Sequence, residues 1–245
     1  MDYRIYRFSR REKVRYGLEA GVLTGITAFC FYNSPWALIM FPLAAFWYFR
    51  EKGKQLARER RKKLQLQFKD AVQGMAAALA AGYSAENAIR EAGKDLRLIY
   101  PEKADMVQEL AAMQRKLDAN QTVEEAIRDF ALRSGLEEAE TFAEIFAVGK
   151  RSGGDLIAIM KDTARTISQT VDTERQVASV LASRRYEQKI MNVIPFAMVL
   201  YLRIGCPGFL DPAYGNLAGA AVMTGCLGLY LAAGYLGRRM LEVEI

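Results

Sequence analysis

The chain has 245 residues, 51% of them hydrophobic, a formal net charge of +6 and no histidine. The absence of histidine excludes His-ligated metals, His general bases and Ser-His or Cys-His pairs. The three cysteines, Cys30, Cys206 and Cys226, have no CxxC spacing and lie in or beside apolar stretches, so neither a metal site nor a disulfide framework is read from them. Charge is segregated. Between Leu64 and Gln188 lie 16 of the 34 basic but 20 of the 28 acidic residues, which leaves the rest of the chain strongly basic. Lys and Arg beside apolar segments on one side, with an acidic folded block between, is the pattern of a membrane protein with a cytoplasmic domain. Nucleic-acid binding is not expected, because the basic residues border apolar segments and the folded block is acidic.

In chain order, a charged start (Arg4, Arg7, Arg10, Arg11, Lys13, Arg15) precedes an apolar run from Gly17 to Tyr32. No small-residue cleavage site follows, so uncleaved anchoring is expected. Asn33-Ser34-Pro35 turns the chain, and a second run spans Trp36 to Phe49. Both are shorter than the roughly 20 residues a bilayer core needs, so a hairpin that only dips into the membrane competes with a spanning one. Flanking Tyr16, Tyr32, Trp36, Trp47 and Tyr48 suit the interface, and Glu19 is expected to snorkel or pair with a nearby arginine. The basic run Arg50 to Lys63 reads as a topology determinant and anionic-lipid contact, or as a docking strip.

The middle block is expected to be helical throughout. Leu64, Phe68, Val72, Met75 and Leu79 mark one apolar face, and Gly82 is a stop. Ser84 caps a second helix with Ile89, Ala92 and Leu96. Pro101 is expected to open a third, with Met106, Leu110, Met113 and Leu117 on one side. Thr122 and Glu125 form a capping box for a fourth. A fifth covers Leu136 to Lys150, with Phe142, Ile145 and Phe146 inward. Asp155 caps a sixth, which meets no Gly or Pro from Leu156 until Pro195. Its inward stripe is read as Leu156, Met160, Thr163, Ile167, Thr170, Glu174, Val177 and Leu181. The start of the second helix echoes that of the fourth, with Ser84 and Thr122 each placed before an Ala-Ile step.

A third apolar run, Ile190 to Cys206, contains Pro195, which is expected to kink it. Pro207 to Pro212 make a short outer loop. The fourth run, Leu217 to Leu236, has 20 residues without a charge and small residues at Ala218, Ala221, Gly225, Gly228 and Ala232. The basic residues place both termini and the middle block on the cytoplasmic side. The expected fold is all-α: a polytopic membrane protein with about four transmembrane helices and a cytoplasmic six-helix bundle. The expected division is 1–53, 54–188 and 189–245.

Ala81-Gly82-Tyr83-Ser84 followed by Ala88-Ile89, the stretch Gly149-Lys150-Arg151-Ser152-Gly153-Gly154-Asp155-Leu156, and Pro195 within the third run carry a resemblance. The chain resembles the inner-membrane platform proteins of type II secretion and type IV pilus machines, and looks most similar to the single-domain platforms of Tad-type pili. The resemblance runs from about Leu64 to the carboxyl terminus. It implies no catalysis, no cofactor and a plasma-membrane location. It also implies partners: a cytoplasmic secretion ATPase, pilin subunits, membrane lipids, and a second copy or a similar second platform protein. Turn or partner-contact positions would be Gly82, Ser84, Gly149, Lys150, Ser152, Gly153, Gly154 and Asp155. Many members carry an acidic residue where this chain has Lys150, so any contact made through that carboxylate is in doubt.

Gly153-Gly154 is not a phosphate loop, since no GxxxxGK[ST] occurs. Glu137, Glu138, Glu140 and Glu144 read as a solvated face or a docking surface for a basic partner. A signalling receptor whose long helix transmits a stimulus is the alternative from another class, and a small transporter a third. The short outer loops and uncharged spans argue against both.

Overall fold

The structure is a computed structural model that describes residues 3, 10–31, 41–152, 156–206, 208 and 216–242. Among these residues every regular element is an α-helix: α1 (Arg10–Phe31), α2 (Phe41–Ala80), α3 (Ala85–Ile99), α4 (Asp105–Asp118), α5 (Val123–Ser134), α6 (Glu137–Ser152), α7 (Leu156–Gly205) and α8 (Leu217–Glu242). The chain divides into two compact units. One comprises Met1–Arg7 and Gly53–Thr173, the other Phe8–Lys52 and Glu174–Ile245. Two of the three boundaries fall inside α2 and α7, and the third lies between Arg7 and Phe8. Among the described residues no helix is long and apolar enough to cross a membrane.

The first unit is a bundle of α3 to α6 with the adjoining parts of α2 and α7. Leu64, Phe68, Val72, Met75 and Leu79 are all buried, as their spacing along α2 requires. The Phe68 ring lies 5.6 Å from that of Phe130 and meets Phe142 edge-on at 5.7 Å, an arrangement that favours opposed ring quadrupoles. Ile89, Ala92 and Leu96 of α3, and Met106, Leu110 and Met113 of α4, complete the core.

Helix ends follow local chemistry. The Ser84 hydroxyl accepts from the Asn87 N–H at 3.3 Å. At α5 the Thr122 hydroxyl accepts from the Glu125 N–H, and the Glu125 carboxylate accepts from the Thr122 N–H. Gly135 ends α5 in the left-handed region at φ 65°.

Three expectations are corrected. Pro101 does not open α4. It lies in a turn whose carbonyl accepts from the Ala104 N–H, and α4 starts at Asp105. Tyr100, the residue before proline, is extended at φ −119°, ψ 148°, which the ring forces by excluding the helical region. The inward stripe of α7 runs Met160, Thr163, Ala164, Ile167 and Val171, and Leu181 is buried as expected, while Thr170 and Val177 are exposed. A 3.6-residue period carries the stripe from Ile167 to Val171 and turns Thr170 outward. Ile145 is only half-buried. The Asp155 cap lies outside the described residues.

In the second unit, α7 and α8 pack through an edge-on contact between Phe196 and Tyr230, 5.3 Å between centroids. The Tyr230 hydroxyl donates to the Asn192 carbonyl at 2.8 Å. The helix continues through Pro195, whose ring nitrogen cannot donate to the preceding turn. Gly234 and Gly237 of α8 approach the side chains of Asn192 and Gln188, whereas a Cβ at Gly225 or Gly228 would meet nothing within 4 Å. The small-residue stripe read at Ala221, Gly225 and Gly228 therefore does not form the contact with α7. On α1, Glu19 lies 3.4 Å from the Arg15 guanidinium and accepts from the Tyr48 hydroxyl, so the expected arginine pairing forms. Large apolar side chains face outward along α1 (Val14, Leu18, Val22, Ile26) and along α7 beyond Ile190 (Met191, Val193, Met198, Tyr201, Ile204).

Candidate partner-binding surface

The residues that the sequence singles out occupy two helix junctions. Gly82 sits between α2 and α3 at φ +90°, and a Cβ there would meet nothing within 4 Å. Its requirement is one of backbone conformation rather than of space. Ser84, two residues on, caps α3. At the other junction Gly149 is buried within α6, and Lys150 is exposed with its ammonium 3.0 Å from a Glu124 carboxylate oxygen. That pair ties the end of α6 to the start of α5. Ser152 is the last residue of α6. Gly153, Gly154 and Asp155 lie outside the described residues.

Close to these junctions, α2 and α7 line a shallow groove of about 430 Å³. Ala76 and Ala164 form its floor, and Lys161, Arg165, Gln73 and Ser168 stand around it. Small residues below and cations at the rim suit an anionic group on a partner. The Lys69 ammonium and the Asp172 carboxylate, 2.8 Å apart, join the same two helices.

Sequence reasoning missed the most connected polar cluster of the bundle. Glu109 on α4 is buried, and the Arg133 guanidinium from α5 grips it with two N–H donors at 2.9 and 2.8 Å. Arg133 also bonds Asp129, which the Lys116 ammonium meets from α4. The Tyr3 hydroxyl donates to Glu109 at 2.8 Å. Burial pushes the Glu109 carboxyl up, but the bonds from Arg133 and Tyr3 and the guanidinium charge together outweigh it and hold it below its usual value. Hydrogen bonding from Lys116, more than its partial burial, brings Asp129 below the ordinary range. Burial, then the bond to Glu109, raises the Tyr3 phenol far out of reach of physiological pH. One signal was present: Glu109 stands at i+3 from Met106 and next to Leu110, inside an apolar stripe, where an acid needs a buried partner.

The molecule is thus an all-helical scaffold whose polar clusters pair charges across helices. The model of the type II secretion system protein F family matches residues 71–202. The match contains all of α3 to α6 and more than half of the chain, and the chain belongs to that family. Proteins of this family are structural platforms rather than enzymes. No curated protein and no solved structure matches the chain.

Proposed function

We propose that the chain is an inner-membrane platform subunit of a Tad-type pilus or related type II secretion machine. The observation that carries this reading is the family match over residues 71–202, which takes in the end of α2, all of α3 to α6 and most of α7. In this reading, residues 54–188 form the cytoplasmic domain, residues 1–53 an amino-terminal membrane hairpin, and residues 189–245 a carboxyl-terminal one kinked at Pro195. A separate cytoplasmic ATPase acts on the bundle. The platform, assembled with a second copy or a similar protein, passes that motion to its membrane segments, and pilin subunits leave the bilayer for a growing filament.

Three features support the membrane part. Ile190, Val193, Met198, Tyr201 and Ile204 of α7 and Val222, Leu229 and Tyr235 of α8 are exposed, an apolar surface that is costly in water and not in lipid. Leu217 to Leu236 contains no charged residue. The burial of Tyr3 in the bundle supports an even number of crossings between residues 3 and 53, which a hairpin satisfies.

Purification of the full chain in mild detergent tests the role. A hexameric secretion ATPase and a second platform protein are expected to co-purify. Recovery of the chain from membranes with neither, under conditions where the ATPase is present and folded, refutes it.

A further inference from the structure

Tyr3 lies at the start of the chain, outside any helix, and is 1% exposed. Three groups hold it, one from each of three helices. The Glu109 carboxylate of α4 accepts from its hydroxyl at 2.8 Å. The Arg133 carbonyl of α5 accepts from its backbone N–H at 3.2 Å. The Arg60 guanidinium of α2 stands over its ring, 4.8 Å from the centroid. The Arg133 guanidinium fixes the carboxylate that the phenol meets.

The walls of this slot do not need Tyr3 to stay in place. Arg60 is held by two bonds to Asp105, at 2.9 and 2.6 Å. Glu109 is held by the Arg133 fork, and Arg133 by Asp129 as well. The slot is a preorganised receptor with a cation over the ring face, a charged acceptor at the hydroxyl and a carbonyl for the ligand backbone. Its occupant stands 106 residues from Glu109 in the sequence. Neither Tyr3 nor Arg60 lies within the 71–202 match to the family.

We propose that the slot between α2, α4 and α5 is a binding site for a tyrosine-bearing peptide, that its resident ligand is the chain's own amino-terminal arm, and that the arm detaches and rebinds while the bundle stays folded. The site holds Tyr3 by three contacts, two of them to the phenol, and the hydroxyl discriminates against phenylalanine because Glu109 is buried and charged. The inference is independent of the platform reading and stands or falls on the bundle alone.

The test uses the full chain in mild detergent. Tyr3→Ala is expected to lower the melting temperature by roughly 5 °C. A synthetic peptide of residues 1–9, added in excess, is expected to restore most of that loss. The same peptide with phenylalanine at position 3 should need about tenfold more for the same effect, and the peptide with alanine there should restore nothing. In the Tyr3→Ala, Glu109→Gln double variant the wild-type peptide should lose its advantage over the phenylalanine form. A Tyr3→Ala chain that melts with the wild type overturns the proposal. So does a destabilised variant that millimolar peptide leaves unrescued, because Tyr3 is then a fixed part of the core and not a ligand.

Discussion

Replacing Glu109 with glutamine isolates the charge at the centre of the bundle while keeping its shape. The carboxylate is 4% exposed and takes both N–H donors of Arg133 and the Tyr3 hydroxyl. Glutamine offers one oxygen in place of two and turns an NH2 toward donors. Removing one partner of a buried pair costs about 3–5 kcal/mol. Arg133 is partly exposed and keeps Asp129, so the lower end applies, about 3 kcal/mol. Urea unfolding of the full chain in detergent, followed by circular dichroism, should show the midpoint falling by roughly 1–2 M at pH 7. The sign of the pH dependence is fixed. The folded-state pKa lies below the ordinary value of 4.5, so the carboxylate stabilises fully above that value and progressively less as pH falls through the folded pKa. The gap between wild type and Glu109→Gln should therefore narrow on acidification from pH 7 to pH 3. A gap of equal size at both pH values, or none at pH 7, refutes the argument that a buried charge pair holds α4 to α5.

Two other outcomes are expected. Reporter fusions at Ser34 and Pro212 should read the outer side of the membrane and a fusion at Asn120, in the α4–α5 turn, the inner side; an outward-facing Asn120 overturns the topology. Gly82→Val should lower the melting temperature by several degrees through backbone strain alone, at a cost of about 1–2 kcal/mol, while Gly82→Asn loses less because asparagine tolerates positive φ; equal melting of both variants and wild type refutes the need for that conformation.

Much of the bundle was legible because its information is local. The stripe Leu64, Phe68, Val72, Met75 and Leu79 shows a helix period directly, and each member is buried. Ser84 and the Thr122–Glu125 pair announce helix starts by hydroxyl chemistry confined to three residues, and both caps form. Pro101 misled because proline suits a first turn, but its restriction of Tyr100 acts one residue earlier and moved the start to Asp105. The α7 stripe drifted at Thr170 because spacings of three and four look alike until a fixed period is followed.

The candidate surface was legible only in part. Gly82 needs positive φ, and a glycine followed by a hydroxyl cap is a readable sign of that. The union of residues 3, 60, 109 and 133 has no local spacing, and nothing short of the fold brings Tyr3 to Glu109. The pairing of Lys150 with Glu124 across 26 residues is of the same kind.

The hydroxyl of Tyr230 on the Asn192 carbonyl gives the α7–α8 pair a notch. Pro195, three residues on, lacks the N–H that would bond the Met191 carbonyl, and the Tyr230 ring that reaches Asn192 is set edge-on to Phe196. A slide of α8 along α7 by less than a full turn would strand the phenol without an acceptor and part the rings. Any shift of one of these helices along the other must therefore break both contacts at once before new ones can form.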